Sequence, residues 1–260
     1  IQSSIIRFVG AITASLVAVR GVAFPVQQAA EFEKELKNVQ KTTNFSAIQI
    51  KGLSASLNDM SKNLVASQVE LAQIAGTAGQ LGLGSQGVEA IESFTESVAR
   101  ATLTFGIGAE ALSTYAAQIL NVFKIPTGDL ENVFSAINEV SNNSVASADK
   151  LIDIIKRVGN VAGLTVNEVA ALAAQSQDLG VSSEVAGTTL VKQFSNMQAK
   201  AKDFAKVMSI TTQEWVARVE GDALQAFRDI LTQLGKLDTE ARASAIRDLF
   251  GGGRIFALAS

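Results

Sequence analysis

Two prolines, Pro25 and Pro126, are all that this chain of 260 residues contains. Proline stops helices more forcibly than any other residue, because it lacks a backbone N–H and its ring collides with the preceding turn. A chain with so few enforced stops can run in helices almost throughout. Composition points the same way: 47% of residues are hydrophobic but only 6% are aromatic. An apolar set rich in Ala and Leu, with little Tyr or Trp, favours helices over sheets. The expected fold is all-α, a long heptad-patterned helix followed by a compact multi-helix bundle with short Gly-capped loops.

Pro25 can occupy the first turn of a helix, and an alternating spacing of three and four begins soon after it. Its positions are Phe32, Leu36, Val39, Thr43, Ser46, Ile50, Leu53, Leu57, Met60, Leu64, Ser67, Leu71 and Ile74, and ten of the thirteen are apolar. This is a coiled-coil-like seam over about six heptads. Unbroken, it would reach roughly 64 Å at the helical rise per residue. Thr43 and Ser46 flank Asn44, and Gly52 follows. A break within residues 42–46 therefore stands beside a continuous rod, and a long helix packed inside its own domain stands beside both. As an oligomer seam, Leu53, Leu57, Met60, Leu64, Leu71 and Ile74 would meet their counterparts on neighbouring copies in an intermolecular coiled coil.

From Gly76 the texture changes to short helices separated by a recurring junction: Gly82-Leu83-Gly84-Ser85, Gly106-Ile107-Gly108, Gly163-Leu164-Thr165 and Gly180-Val181-Ser182. In each, a glycine suited to the left-handed position ends one helix, and the apolar residue after it packs back. A small or capping residue then opens the next helix. The helix-junction glycines are thus Gly82, Gly106, Gly163 and Gly180. Thr165 with Glu168 and Thr211 with Glu214 have the spacing of capping boxes, and Pro126 pushes Ile125 out of the helical region. Between junctions, Val88, Ile91, Phe94, Val98 and Phe105 form one apolar stripe. Leu151, Ile154, Ile155 and Val158 form a second, Val185, Leu190, Phe194 and Met197 a third, and Leu224, Phe227, Ile230, Leu231 and Leu234 a fourth. Ala170, Ala171, Ala173 and Ala174 make a face that permits close helix approach.

The chain opens on Ile1, as an internal stretch of a longer protein would. Residues 8–19 are uncharged between Arg7 and Arg20, too short a run to cross a bilayer and better read as a buried helix. The expected division is residues 1–24, an apolar helical segment, and 25–75, a long helix or helical hairpin carrying the seam. Residues 76–200 form the core bundle, and 201–260 a C-terminal helical segment that ends in a Gly-rich turn. The last boundary is drawn near 198–212.

There is no cysteine and no histidine. That removes disulfides, thiolate chemistry, Cys/His zinc sites and Ser–His–Asp triads together. A net charge of −3 with interspersed signs offers no electrostatic footprint for nucleic acid. Gly82-Leu83-Gly84-Ser85-Gln86-Gly87 matches the dinucleotide-binding spacing, but no strand pattern precedes it, so its glycines read as helix junctions. Ser147-Ala148-Asp149-Lys150 matches S-x-x-K without its companion elements and reads as a helix N-cap with a solvated lysine. Asn44-Phe45-Ser46 is a formal glycosylation sequon. Gly251-Gly252-Gly253-Arg254 lacks the Lys-Ser/Thr of a phosphate loop and reads as a terminator. No catalytic residue, metal ligand or cofactor is expected.

Three stretches resemble the core region of bacteriophage tail tape measure proteins. Residues 31–46, EFEKELKNVQKTTNFS, resemble the family's acidic leading helix and its break. Residues 70–102, ELAQIAGTAGQLGLGSQGVEAIESFTESVARAT, resemble its Ala/Gly-rich turn and the amphipathic helix after it. Residues 163–194, GLTVNEVAALAAQSQDLGVSSEVAGTTLVKQF, are the most specific. They follow the family's order of Gly-Leu-Ser/Thr, Glu, Ala-Ala-Leu, Gly-Val/Ile, Glu, Ala-Gly-Thr and Leu. Asp248-Leu249-Phe250-Gly251 resembles the closing segment, from which the extra Gly252-Gly253 departs.

The resemblance implies a structural role without catalysis or cofactor, in the virion, inside the tail tube lumen or at the tail tip. Such proteins set tail length during assembly and leave ahead of the DNA at infection. The implied partners are further copies of the chain (a trimer first, a hexamer second), tail tube and hub or baseplate proteins, tail assembly chaperones, and the host envelope on ejection. No specific nucleic acid binding is implied. The rival reading is an α-helical membrane-active protein, a pore former or translocator. It would need an apolar run of about twenty residues.

Overall fold

A computed structural model of the chain describes residues 26–251, and within them lie thirteen α-helices and no strand. The fold is all-α. In chain order the helices are α1 (Val26–Thr43), α2 (Ala47–Asn63), α3 (Gln68–Gln80), α4 (Val88–Phe105), α5 (Ala109–Phe123), α6 (Leu130–Asn142) and α7 (Ala148–Val158). They continue as α8 (Val166–Asp178), α9 (Ser183–Ala199), α10 (Ala201–Met208), α11 (Thr212–Gly221), α12 (Ala223–Gly235) and α13 (Thr239–Phe250). The apolar segment 1–24, Pro25 and the glycines after Gly251 lie outside the described residues.

The stretch read as a long heptad-patterned helix is three helices in the structure: of the readings left open, the break within residues 42–46 is the one that occurs, and a second break, ahead of Gln68, corrects the rod further. Ser46 and Ser67 are N-caps in extended backbone, at φ −64°, ψ 160° and φ −73°, ψ 156°. Each closes a capping box. The Gln49 amide N–H donates to Ser46 Oγ at 3.3 Å while Ser46 N–H donates to Gln49 Oε1 at 3.0 Å. Ser67 and Glu70 repeat the exchange at 3.2 and 2.8 Å. Two helix starts thereby satisfy N–H groups that a helix N-terminus otherwise leaves orphaned. The link before α2 turns at Asn44, whose φ is +58°, and is pinned by Phe45, 6% exposed.

Contacts of residues 38–43 with residues 76–84 place α1 and α3 side by side, running the same way. The short links at either end then require α2 to carry the chain back. Helix α3 is the hub of this half, with Leu71, Ala72, Ile74, Ala75, Gly76, Ala78 and Gly79 all buried, and α1, α2, α4 and α5 pack around it. In the middle of the chain α7 plays the same part against α5, α6, α8 and α9.

The apolar stripes meet in one continuous core from Leu36 to Phe250. Ile91, Phe94, Val98, Leu151, Ile154, Ile155, Leu190, Phe194, Met197, Ile230 and Leu234 are fully buried. Ala170, Ala173 and Ala174 are buried as well, but Ala171 faces solvent. The division drawn at 200–201 falls on the kink at Lys200, and the core crosses it, because α10, α11 and α13 pack directly on α9.

Candidate functional site

The structure closes the expected oligomer seam within one copy. Leu53, Leu57 and Leu71 are 0% exposed and Ile74 is 2% exposed, while Met60 and Leu64 are half-buried against the same core. In this fold those side chains are covered by the chain's own helices, so they present no apolar stripe to a neighbour. The physical reason is the two breaks: once α2 and α3 fold back, each short stripe finds an apolar partner at once.

All four junction glycines take the left-handed conformation, with φ of +85° at Gly82, +64° at Gly106, +76° at Gly163 and +75° at Gly180. Gly180 forms a Schellman motif: its N–H donates to Gln177 O at 2.8 Å, and that of Val181 donates to Ser176 O at 3.0 Å. The following apolar residue packs inward, buried at Leu83 and Leu164 and half-buried at Ile107 and Val181. Capping differs from expectation. At the four glycine junctions only Thr165 closes a box. Ser182 and Ser147 stand at N-caps without accepting a side-chain bond, and Ser85 donates back to Gly82 O at 2.8 Å. Thr211 and Glu214 close their box as spaced.

Sequence reasoning missed a close crossing of α1 on α3. A Cβ added to Gly79 would collide with Thr42 Oγ1 and lie 2.8 Å from Thr43 Cγ2. One added to Gly84 would lie 2.8 Å from the Cα of Thr43. These glycines serve by having no side chain, which lets two backbones approach. Thr42 Oγ1 donates to Asn38 O at 3.1 Å and reaches Gly76 O at 3.5 Å. The alternation Ala72, Ala75, Gly76, Gly79 was the available signal.

Sequence reasoning also missed an aromatic clasp at the other end. Trp215 is fully buried, stacked on Phe204 with centroids 5.1 Å apart and planes at 12°. Its indole N–H donates to Met197 O at 2.8 Å, capping the C-terminus of α9. Phe250 meets Phe204 and Phe227 edge-on, and Phe227 lies against Phe194. Asn196 Nδ2 and Lys200 Nζ donate to the last carbonyls of α13, Leu249 O and Asp248 O, at 3.0 and 2.6 Å. Together these fix where the chain leaves at Gly251.

Among the described residues no three acidic side chains gather to hold a metal ion. A groove between α5 and α7 is floored by Ile119, Val122 and Phe123. Its charges are paired: Arg157 Nε donates to Asp153 Oδ2 at 2.9 Å, which holds the guanidinium above its ordinary range. Lys156 Nζ sits 3.9 Å over the Tyr115 ring. Glu214 is held below its ordinary range by the backbone N–H of Thr211 first and the Thr211 hydroxyl second. That is the signature of a cap, not of an acid catalyst. No helix among the described residues is long and apolar enough to cross a membrane.

The family described as phage-related minor tail protein matches residues 54–251, from within α2 to the end of α13. The chain is 22% identical over 253 residues to a "probable tape measure protein" of Halomonas phage phiHAP-1, covering 90% of this chain and 29% of that protein. It therefore spans under a third of that relative's length. No solved structure matches. With a family match over well more than half of its length, the chain belongs to the phage-related minor tail protein family.

Proposed function

We propose that this chain is a structural segment of a tape measure protein, lodged inside the phage tail, where it helps set tail length and leaves ahead of the DNA. The observation that carries this is the family match across residues 54–251, joined to similarity over nine-tenths of the chain with a protein described as a probable tape measure protein. Two physical features support it. With a net charge of −3, the chain gives phosphates no strong grip, which suits a protein that must clear the path of DNA. The Ala/Gly crossing of α1 on α3 buries less area per contact than a Leu/Phe interface, so this half opens at smaller cost.

Its partners are further copies of itself, a trimer ahead of a hexamer by analogy with the family. Tail tube and hub or baseplate proteins, and chaperones during assembly, complete the set, with host envelope contact on ejection. The reading as a membrane-active protein gains no support from helices α1–α13.

Shape supplies the test. As a compact bundle the described residues span roughly 45 Å, whereas stretched as one helix they would span roughly 340 Å. A series of in-frame deletions in the parent gene is read by electron microscopy of tails. Length setting by an extended chain shortens tails by about 1.5 Å per deleted residue. Tails of constant length across the series overturn the length-setting role.

A further inference from the structure

We infer that this fold is mechanically polar: drawn from its N-terminal side it comes apart helix by helix, whereas drawn from Gly251 it holds until the aromatic clasp breaks. The order of opening is a property of the fold alone, and only its use in the tail rests on the exit proposed above.

The helices pack as a two-row stack. Helices α1, α3, α5, α7 and α9 make one row, each laid on the next, and α2, α4, α6 and α8 make the other. The pairs α2–α3, α4–α5, α6–α7 and α8–α9 form the rungs between the rows. Every extensive packing within the stack joins helices no more than two places apart in the chain. Where layers hold only their neighbours, an end layer can leave without disturbing distant ones.

The two ends are fastened differently. Among the described side chains, α1 buries Leu36 and Val39 as its large apolar residues, and α2 buries Leu53 and Leu57. Beneath α1, helix α3 offers mostly Ala and Gly, which give little area per contact. The polar tie from α1 to α3 is a long one, Thr42 Oγ1 to Gly76 O at 3.5 Å. Further along the stack, α7 alone buries Leu151, Ile152, Ile154, Ile155 and Val158.

The last end is closed by one shared cluster. Each helix from α9 to α13 contributes a single ring to it: Phe194, Phe204, Trp215, Phe227 and Phe250. A pull at Gly251 loads α13, whose last carbonyls are gripped by Asn196 and Lys200, 53 and 48 places back in the chain. Phe250 lies against both Phe204 and Phe227, and Trp215 fastens the cluster to Met197 O of α9. Load on one helix is therefore carried by five, and the cluster gives way as a unit. The first layers can be drawn out as extended chain while the clasp stays closed.

The test uses the 260-residue chain with the same degradation tag and flexible linker at one terminus or the other. An ATP-driven unfoldase–protease pulls each version from its tagged end. Hydrogen exchange read by mass spectrometry on the untagged chain gives the order of opening without force. The N-terminally tagged chain should be processed faster, on the order of tenfold, through a transient fragment that retains α9–α13. The C-terminally tagged chain should leave no such fragment. Trp215→Phe, shown by circular dichroism to fold, should speed processing from the C-terminal tag about threefold and leave the first step from the N-terminal tag unchanged. In exchange, α1 and α2 should lose protection before α7 and α9. Equal rates from the two ends, faster processing from the C-terminal tag, or Trp215→Phe speeding both alike overturns the polarity. Exchange at one common rate across residues 26–251 overturns the layered opening. None of these results bears on length setting, which the deletion series decides separately.

Discussion

Trp215 offers the sharpest perturbation of the C-terminal clasp, because one side chain both fills the core and caps α9. It is fully buried, stacked on Phe204, and bonded to Met197 O at 2.8 Å. A tryptophan of this kind removes roughly 200 Å² from water, worth about 5 kcal/mol at the usual area coefficient. Truncation of large core aromatics costs about 3–5 kcal/mol once partial collapse is included. Trp215→Ala should therefore lose about 4 kcal/mol. Trp215→Phe keeps a ring against Phe204 but forfeits the indole bond and part of the volume, so about half that loss is expected. Urea denaturation followed by circular dichroism measures both. As the chain's single tryptophan, Trp215 also lets intrinsic fluorescence follow the clasp directly in the parent. A loss under about 1 kcal/mol for Trp215→Ala would refute the claim that this cluster holds α10–α13 onto α9.

Gly84→Ala should cost about 1–3 kcal/mol by forcing the end of α1 away from the turn that follows α3, since the new Cβ meets the Thr43 backbone. Gly106→Ala has open space around it and pays only for its left-handed φ of +64°, so thermal unfolding should leave Gly84→Ala the worse of the two. Thr165→Ala should cost about 1 kcal/mol by removing a working cap, whereas Ser182→Ala should be near neutral because its hydroxyl accepts no cap bond. Equal losses at the two positions contradict the assignment. The lowered pKa of Glu214 means that its charged form is favoured by folding. That contribution is present above the ordinary carboxylate value and is lost as pH falls through the lowered one. Acid titration of stability should accordingly fall less steeply for Glu214→Gln than for the parent, and parallel curves would remove Glu214 from the account.

Local signals in the sequence were legible where backbone chemistry alone decides. Gly82, Gly106, Gly163 and Gly180 turn as their residue type demands, and the boxes at Thr165 and Thr211 form at their own spacing. The same S-x-x-Q and S-x-x-E spacing stood at Ser46 and Ser67, but both residues also fell on a heptad phase, and the longer pattern masked the shorter one. Periodicity tells which face is apolar and not whose surface covers it. Leu57 could be read as a seam residue from sequence, while its burial by its own chain could not. Lys124 and Ser209 take left-handed backbone, at φ of +56° each, with no residue signature, because the apolar Ile125 and Ile210 are drawn back onto the helices they leave. Low aromatic content does not spread evenly over the fold. Five of the aromatic residues instead gather at Phe194, Phe204, Trp215, Phe227 and Phe250, so ease of opening belongs to the α1–α3 half alone.

The most direct measurement of the central claim is protease protection of this chain in intact particles, followed by its fate after triggered genome release. Purified virions are treated with protease, and peptides from residues 26–251 are quantified by mass spectrometry before and after ejection. A chain lodged inside the tail is protected in intact particles and missing from emptied ones. Cleavage in intact particles, or retention after the DNA has left, would contradict the account.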